Sequence, residues 1–338
     1  MSLSFQILGQ PFADNACYVR VEPGQSVHRI LFDCGQHCLD SLNIREIMAV
    51  DHLCFSHFHL DHLSGFDAFL RVNYQRESKP VHIWGPESTI EIIHHRLQGV
   101  TWDRIEKPAA PWILHEIHES EVITAECYPD DGFQEISNYT EEPFHGILFE
   151  DEKYTLSGAI MDHRIPTIAY RVTEAGSFNI IPDELKRLGL SPGPWLNQLK
   201  DHDIPDSHAL EIQGKTYSIG ELRALLLSES PGESLGYVTD LRYTQDSISE
   251  LVDLFEGCDT IVSESTYADE EKDLADRHFH LTASEAGEIA KRAKAKRLIL
   301  FHLSKRYEQS GATELLSQAQ TVFPNTCFPE WWELDPEN

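Results

Sequence analysis

The chain has 338 residues, of which 27 are Lys or Arg and 56 are Asp or Glu, so its formal net charge is −29. A hydrophobic fraction of 41% is typical of a folded protein and excludes wholesale disorder. The excess of acidic residues argues against a protein that binds nucleic acid over its whole surface, because neutralising phosphates requires Lys and Arg. It does not exclude an enzyme with one local basic patch.

Short strand-like segments, separated by turns that contain Gly or Pro, dominate the first half of the chain. The predicted strands are 5–8, 17–21, 29–33, 52–56 and 81–84, followed by a helix over 87–97. Residues 113–127 and 146–172 contain a further run of predicted strands.

The second half begins with a segment, 185–201, that is interrupted by Pro and Gly. It is too broken for a core, and we expect an exposed arm, inserted at about 176–215 in a single domain that spans 1–338. Strands are predicted at 236–239 and 260–263, around a helix that begins near Asp246. A helix over 282–297, with the capping-box pair Thr282 and Glu285, leads into a strand at 298–301.

Several features favour a cytoplasmic protein with reduced thiols. No apolar run approaches the about 20 residues of a membrane span, and the first residues lack the pattern of a secretory signal. The seven cysteines are an odd number spread along the chain, which disfavours a disulfide framework. Cys34, His37 and Cys38 have the spacing of a metal clip, but a lone C-x3-C without a second pair favours ordinary buried thiols.

The sharpest feature is a cluster of three histidines and one aspartate directly after the predicted strand 52–56. His57 and His59 alternate, and Asp61 and His62 follow in the next turn. Imidazole and carboxylate are ligands that zinc accepts readily. We therefore predict that the first two histidines bind one metal ion, and that Asp61 and His62 bind a second.

The pattern H-x-H-x-D-H in residues 57–62 resembles the signature of the metallo-β-lactamase superfamily. The resemblance implies an α/β (layered α+β) fold, an αββα sandwich of two mixed sheets flanked by helices, with two zinc ions. It also implies three more ligands at strand ends. Asp240 fits the bridging carboxylate and His302 the last histidine. His163 is favoured for the third histidine, with His145 as the alternative.

More specifically, the chain resembles the ribonuclease Z branch of that superfamily in the segments 162–172, 185–200, 280–293 and 302–307. The resemblance implies a homodimer whose arm grips tRNA, and a catalytic role for His280, with His278 as its rival. The sequence departs from the branch at Leu60, where Gly is usual, and in the first loop, which lacks a matching basic residue.

A mechanism follows from these residue types. Two zinc ions, for which Mn²⁺ or Fe²⁺ could substitute, lower the pKa of a bridging water, and the resulting hydroxide attacks phosphorus. Asp61 would orient that hydroxide as a base, and His280 would protonate the leaving oxygen.

Glu264 could hold His280 or His302 in the right tautomer, or could be a simple surface carboxylate. Arg242 and Arg306 are candidate phosphate ligands. Ser304 belongs to the 302–307 hallmark without a firm role.

Three functional hypotheses remain at this stage. The first is a zinc-dependent phosphodiesterase of ribonuclease Z type, an endonuclease that removes the 3′ trailer of precursor tRNA. The alternative is a hydrolase of the same fold acting on a small phosphodiester or other ester, which the acidic charge favours. The third is a scaffold or RNA-binding subunit with a degenerate site. The complete ligand set argues against it.

Overall fold

The structure is a computed structural model that describes residues 3–22, 26–103, 109–201, 203–309 and 312–334. The chain divides into two compact units, one formed by Met1–Glu174 with Glu233–Asn338 and the other by Ala175–Gly232. None of the helices in the described ranges is both long enough and apolar enough to cross a membrane.

The first sheet of the larger unit has eight strands that lie side by side in chain order. They are β1 (Leu3–Leu8), β2 (Ala16–Val21), β3 (His28–Phe32), β4 (His52–Cys54), β5 (Val81–Pro86), β6 (Trp112–Ile117), β7 (Glu121–Cys127) and β8 (Ile136–Pro143). Strands β3 to β6 pair in parallel, and the strands on either side pair antiparallel. The connecting helices are α1 (Ile44–Met48), α2 (Leu60–Leu63), α3 (Phe66–Asn73) and α4 (Thr89–Gln98).

The second sheet has seven strands and takes its members from both sides of the insertion. The strands are β9 (Ile147–Glu150), β10 (Tyr154–Asp162), β11 (Pro166–Glu174), β16 (Ser234–Val238), β17 (Thr260–Glu264), β18 (Arg297–Phe301) and β19 (Thr326–Cys327). Strands β16 to β19 are parallel to one another, whereas β9, β10 and β11 form an antiparallel end. The helices of this half are α8 (Gln245–Leu254), α9 (Lys272–His278), α10 (Ala283–Arg292) and α11 (Thr313–Val322).

The two sheets pack face to face through buried aromatic side chains. The ring of Phe32 on β3 stacks on Tyr170 of β11 and on Tyr237 of β16, with centroids 5.2 and 5.1 Å apart. All three side chains are fully buried, and such large rings contribute much of the stabilisation of a core. Helices α1, α3 and α4 pack on the first sheet, and α8 and α10 pack on the second. The expected αββα sandwich is confirmed.

The inserted unit has a small core of its own. Its elements are β12 (Ser177–Ile180), α5 (Pro182–Arg187), α6 (Trp195–Lys200), β13 (Ala209–Ile212), β14 (Lys215–Ser218), α7 (Ile219–Leu226) and β15 (Leu227–Ser230). Leu185, Leu190 and Leu199 are buried against the apolar face of α7. The expectation that 185–201 is too broken for a core is therefore wrong. Gly189 and Pro194 interrupt only the connection between α5 and α6, and the leucines on either side of that connection are free to pack together. That the unit acts as an arm remains a prediction.

Helix α10 shows how local signals set element boundaries. Thr282 accepts a hydrogen bond from the Glu285 N–H and Glu285 caps the Thr282 N–H in return, so the predicted capping box is confirmed. The helix ends at Arg292 rather than at residue 297. Lys294 adopts a positive φ of 55°, which ends a helix and turns the chain into β18.

Candidate metal centre

The loop after β4 places four of the predicted ligands at one edge of the first sheet. His57 is fully buried, and His59 is the residue before α2. Asp61 and His62 occupy the first turn of that helix, which is only four residues long. The extended backbone up to His59 and the helical backbone after it direct the two pairs to different positions.

The second sheet contributes the three other predicted ligands. His163 is buried in the turn between β10 and β11, Asp240 follows β16 and His302 follows β18. Because β16 and β18 are parallel neighbours of β17, their carboxyl ends meet at one edge of the sheet. Asp240 and His302 have positive φ angles of 48° and 52°. Backbone strain of this kind in non-glycine residues is concentrated at functional sites.

The seven side chains form two ligand sets that share Asp240. The first is His57, His59, His163 and Asp240, and the second is Asp61, His62, Asp240 and His302; within each set the ligand atoms lie within 4.8 Å of one another. Asp240 Oδ2 is 3.6 Å from His57 Nε2, and 3.5 Å from both His163 Nε2 and His62 Nε2. A carboxylate between two clusters of imidazoles is the arrangement that bridges two metal ions.

The state of His62 indicates that the site fits a cation. Its Nδ1 contacts Asp33 at 2.8 Å, which places a proton on Nδ1 and leaves Nε2 as the atom that a metal ion would bind. Nε2 is buried and has no hydrogen-bond partner in the described part of the chain. Leaving such a group unsatisfied costs about 1–3 kcal/mol, and a metal ion bound between His62 and Asp240 would remove that cost.

Burial and the neighbouring charges shift the pKa values of the side chains in the cluster. Burial disfavours the charged form of Asp240, but His302 and His62 outweigh it and hold the pKa of this carboxyl well below its usual range. Burial also lowers the pKa of His62, but Asp33 and Asp240 outweigh burial and raise it well above normal, so that a metal ion bound at Nε2 would take the place of a proton. Burial and the neighbouring His62 lower the pKa of His57 to about 2, so that its imidazole is neutral and able to bind a metal.

Asp33 is a candidate functional residue that the sequence analysis missed. It is fully buried, and its carboxylate contacts His62 Nδ1 and accepts hydrogen bonds from the Ser56 N–H at 2.7 Å and from the Tyr237 hydroxyl at 2.7 Å. Such carboxylates orient ligating histidines. Its position directly after β3, which is parallel to β4, is the signal that could have identified it.

Glu264 and His280 form a second buried pair beside the ligand sets. The Glu264 carboxylate contacts His280 Nδ1 at 3.0 Å and accepts hydrogen bonds from the Leu241 N–H and the Thr266 hydroxyl. Glu264 is fully buried, so the alternative of a surface carboxylate is wrong. Burial lowers the pKa of His280, but Glu264 and then Asp240 outweigh it and raise the pKa to about 9.

The remaining sequence candidates lie at the edge of this arrangement. Arg306 is exposed and forms an ion pair with Glu271, while Arg242 is exposed and donates its backbone N–H to Asp162. Ser304 precedes a short 3-10 helix and makes no side-chain capping bond there. His145, the alternative third histidine, is exposed between β8 and β9, outside both ligand sets.

The disfavoured alternative of a metal clip at Cys34, His37 and Cys38 is not found among the described residues. Both thiols are buried, whereas His37 is exposed and contacts Asp40. The described residues place no metal-binding group there, and the ordinary interpretation of these cysteines as buried thiols agrees with the structure.

A cleft of about 490 Å³ opens over the cluster. The cleft is lined by five of the predicted ligands, by the two candidate acid histidines and by three neighbouring residues. These are His59, Asp61, His163, Asp240 and His302, then His278 and His280, then Arg164, Ile165 and Tyr267. His280 and its rival His278 both line this cleft, but within the described residues only His280 is held by Glu264. Arg164 is a second residue that the sequence analysis missed, although it directly follows His163.

Comparison with known proteins identifies the family. The ribonuclease Z of Deinococcus radiodurans is 39% identical over 330 residues, which are 98% of each chain. This chain belongs to the ribonuclease Z family. A model of the β-lactamase superfamily domain matches residues 208–303, and a model of the anti-Pycsar protein Apyc1 matches residues 16–150.

Solved structures of the ribonuclease Z family have the same fold. The human short-form tRNase Z covers 91% of this chain and 94% of its own, at 19% identity and a TM-score of 0.51. A long-form RNase Z from yeast covers 97% of this chain and 40% of its own, at 14% identity and a TM-score of 0.60. As a member of the family, this protein is a metal-dependent hydrolase, and the His/Asp cluster is its candidate metal-binding region.

Proposed function

We propose that this ribonuclease Z family protein is a binuclear zinc-dependent endonuclease that removes the 3′ trailer of precursor tRNA. The observation that carries the proposal is the buried Glu264–His280 pair beside two ligand sets that share Asp240. Such an arrangement combines a proton donor with a binuclear site for a phosphodiester. Zn²⁺ suits the nitrogen-rich first set, and Mn²⁺ or Fe²⁺ would suit the second, which has two carboxylates.

The two ligand sets would hold the metal ions, which when bound supply Lewis acidity towards the phosphate and lower the pKa of an attacking water. Asp61 is half-exposed at the cleft. Burial raises the pKa of its carboxyl, but the hydrogen bond with His302 and the neighbouring His62 outweigh burial and keep it ionised. Asp61 is therefore placed to accept a hydrogen bond from that water and to orient it.

His280 would supply the second proton transfer. With Nδ1 facing Glu264, its Nε2 carries the proton that the leaving oxygen needs when the phosphorus–oxygen bond breaks. A pKa of about 9 keeps this imidazole protonated at neutral pH. General acid catalysis of this kind is worth about 10²–10⁴-fold in rate.

We further propose that the protein is a homodimer in which the inserted unit of one copy contributes to substrate binding by the other. The support is the family resemblance of residues 185–200. Light scattering at several protein concentrations tests the assembly. A monomer that cleaves precursor tRNA at the full rate would contradict it.

The decisive experiment is cleavage of a 3′-trailered precursor tRNA by the zinc-loaded protein, beside a His280→Ala variant and a chromogenic phosphodiester. Cleavage after the discriminator base that is lost in the variant would support the tRNA substrate and the acid role together. Turnover of the small phosphodiester with the RNA left intact would instead support the alternative, a hydrolase of small esters.

A further inference from the structure

Arg164 lies beside Arg242 and the backbone of Arg277 at one side of the cleft, on a chain whose formal charge is −29. Arg164 lines the cleft and is the sole Lys or Arg among the described residues that do so. Its guanidinium donates a hydrogen bond to the carbonyl of Arg277. Arg242 and Arg277 are exposed. A local group of cations on so acidic a protein indicates a ligand of opposite charge.

Phe279 fixes two of these arginines relative to each other. The Cζ atoms of Arg164 and Arg242 each lie 4.9 Å from the centroid of its ring, within the range of a cation–π contact. The backbone of Phe279, which has a positive φ of 62°, accepts a hydrogen bond from the metal ligand His163 at 2.7 Å. The two guanidinium groups are therefore held at a fixed position relative to the His/Asp cluster.

Neither guanidinium is neutralised by a carboxylate in the described part of the chain. Asp162 is the nearest acidic residue in sequence, but its carboxylate accepts the backbone N–H of Arg164. Arg306 is in contrast paired with Glu271. Two like charges against one ring repel each other, and an anion bound beside both would relieve this repulsion.

We propose that Arg164 and Arg242, separated by the ring of Phe279, form a clamp for backbone phosphates of the RNA strand that flank the scissile phosphate. The planar guanidinium fork binds phosphate oxygens bidentately, and only one Arg164 donor is used by the Arg277 carbonyl. The reacting phosphate belongs over Asp240, whereas this clamp lies on the Phe279 side of His163. The proposal rests on the proposed function in taking RNA as the substrate.

The test is the salt dependence of precursor tRNA binding, measured by fluorescence anisotropy in the metal-loaded His280→Ala background, where cleavage is suppressed. Arg164→Gln and Arg242→Gln are each expected to reduce the slope of log K against log salt by about 1. At about 0.15 M salt each should weaken binding about tenfold, as expected for a charged hydrogen bond. Arg164→Lys should restore the slope but only part of the affinity.

Lys294→Gln is the matched control, because it removes one exposed positive charge that is paired with Glu256 outside the cleft. It should leave the slope unchanged. Slopes that stay unchanged in Arg164→Gln and Arg242→Gln would overturn the clamp, and so would a loss of bound metal in both variants, which would reveal a structural role.

The clamp and the proposed function can fail separately. If the wild-type protein cleaves precursor tRNA while both slopes match the control, the function stands and the clamp does not. If the wild-type protein does not cleave precursor tRNA, yet both variants lower the slope for an unrelated RNA of equal length, the clamp stands and the tRNA assignment does not.

Discussion

Replacing Glu264 by Gln is expected to change the pH dependence of cleavage far more than its rate in mild acid. Glu264 is fully buried and contacts His280 Nδ1 at 3.0 Å. Burial alone would lower the pKa of His280, and the charge of Glu264 is the largest of the causes that raise it. Gln keeps the shape of the side chain and an oxygen that can accept the Nδ1 hydrogen bond, but it carries no charge.

The size of the effect follows from the pKa of His280. The rise from 6.5 to about 9 corresponds to about 3 kcal/mol in favour of the protonated form. A group with a raised pKa is protonated below that value, so the acid is present up to about pH 9 and lost above it. If the pKa returns to its ordinary value of 6.5 without the Glu264 charge, the protonated fraction at about pH 8.5 falls roughly 80-fold, against less than about twofold at about pH 6.

The assay is single-turnover cleavage of a 3′-trailered precursor tRNA at saturating metal, from about pH 5.5 to about pH 9.5. The alkaline limb of the profile should move from about pH 9 towards pH 6.5 in Glu264→Gln. It should disappear in His280→Gln and persist in His278→Gln, the neighbouring histidine that also lines the cleft. An equal loss of rate at every pH in Glu264→Gln would refute the view that Glu264 acts through the protonation of His280.

Three further predictions concern the metal centre and the core. Asp240→Asn, which alters the carboxylate shared by both ligand sets, should lower the bound metal measured by plasma mass spectrometry; two equivalents retained would contradict the shared role. Asp33→Ala should weaken metal binding about 10–100-fold in chelator competition, because His62 loses the group that orients it; an unchanged affinity would count against that role. Gly236→Val should reduce the free energy of unfolding, measured in urea, by about 1–3 kcal/mol. The reason is that even a Cβ atom at this position would lie 2.7 Å from the Phe255 ring. A variant as stable as the wild type would show that the ring can move away.

Features that depend on neighbours in sequence were predictable. The histidines at 57, 59 and 62 lie within six residues, and their alternation after a short strand was enough to predict a metal site. The capping box at Thr282 and Glu285 was predictable for the same reason, because both groups belong to one helical turn. Strand β8 was missed, since its side chains are mostly exposed and lack an apolar alternation.

Features that depend on pairing between distant segments were not predictable from spacing. Asn15 accepts a hydrogen bond from the backbone of His302, 287 residues away, and so braces a ligand that has a strained backbone. The orientation of Glu264 towards His280 and the stacking of two arginines on Phe279 likewise follow only from the packing of the sheet edge.

The amino-acid sequence by itself determined the family and predicted the candidate ligands and the strand ends that carry them, because these follow from local patterns of polarity and from motif residues. Only the tertiary structure decided that Asp240 lies between two sets of histidines, that Asp33 is buried behind His62 and that the inserted unit has its own core. The physical reason is that parallel strands bring together carboxyl ends far apart in the chain, and burial then sets which charges each imidazole encounters.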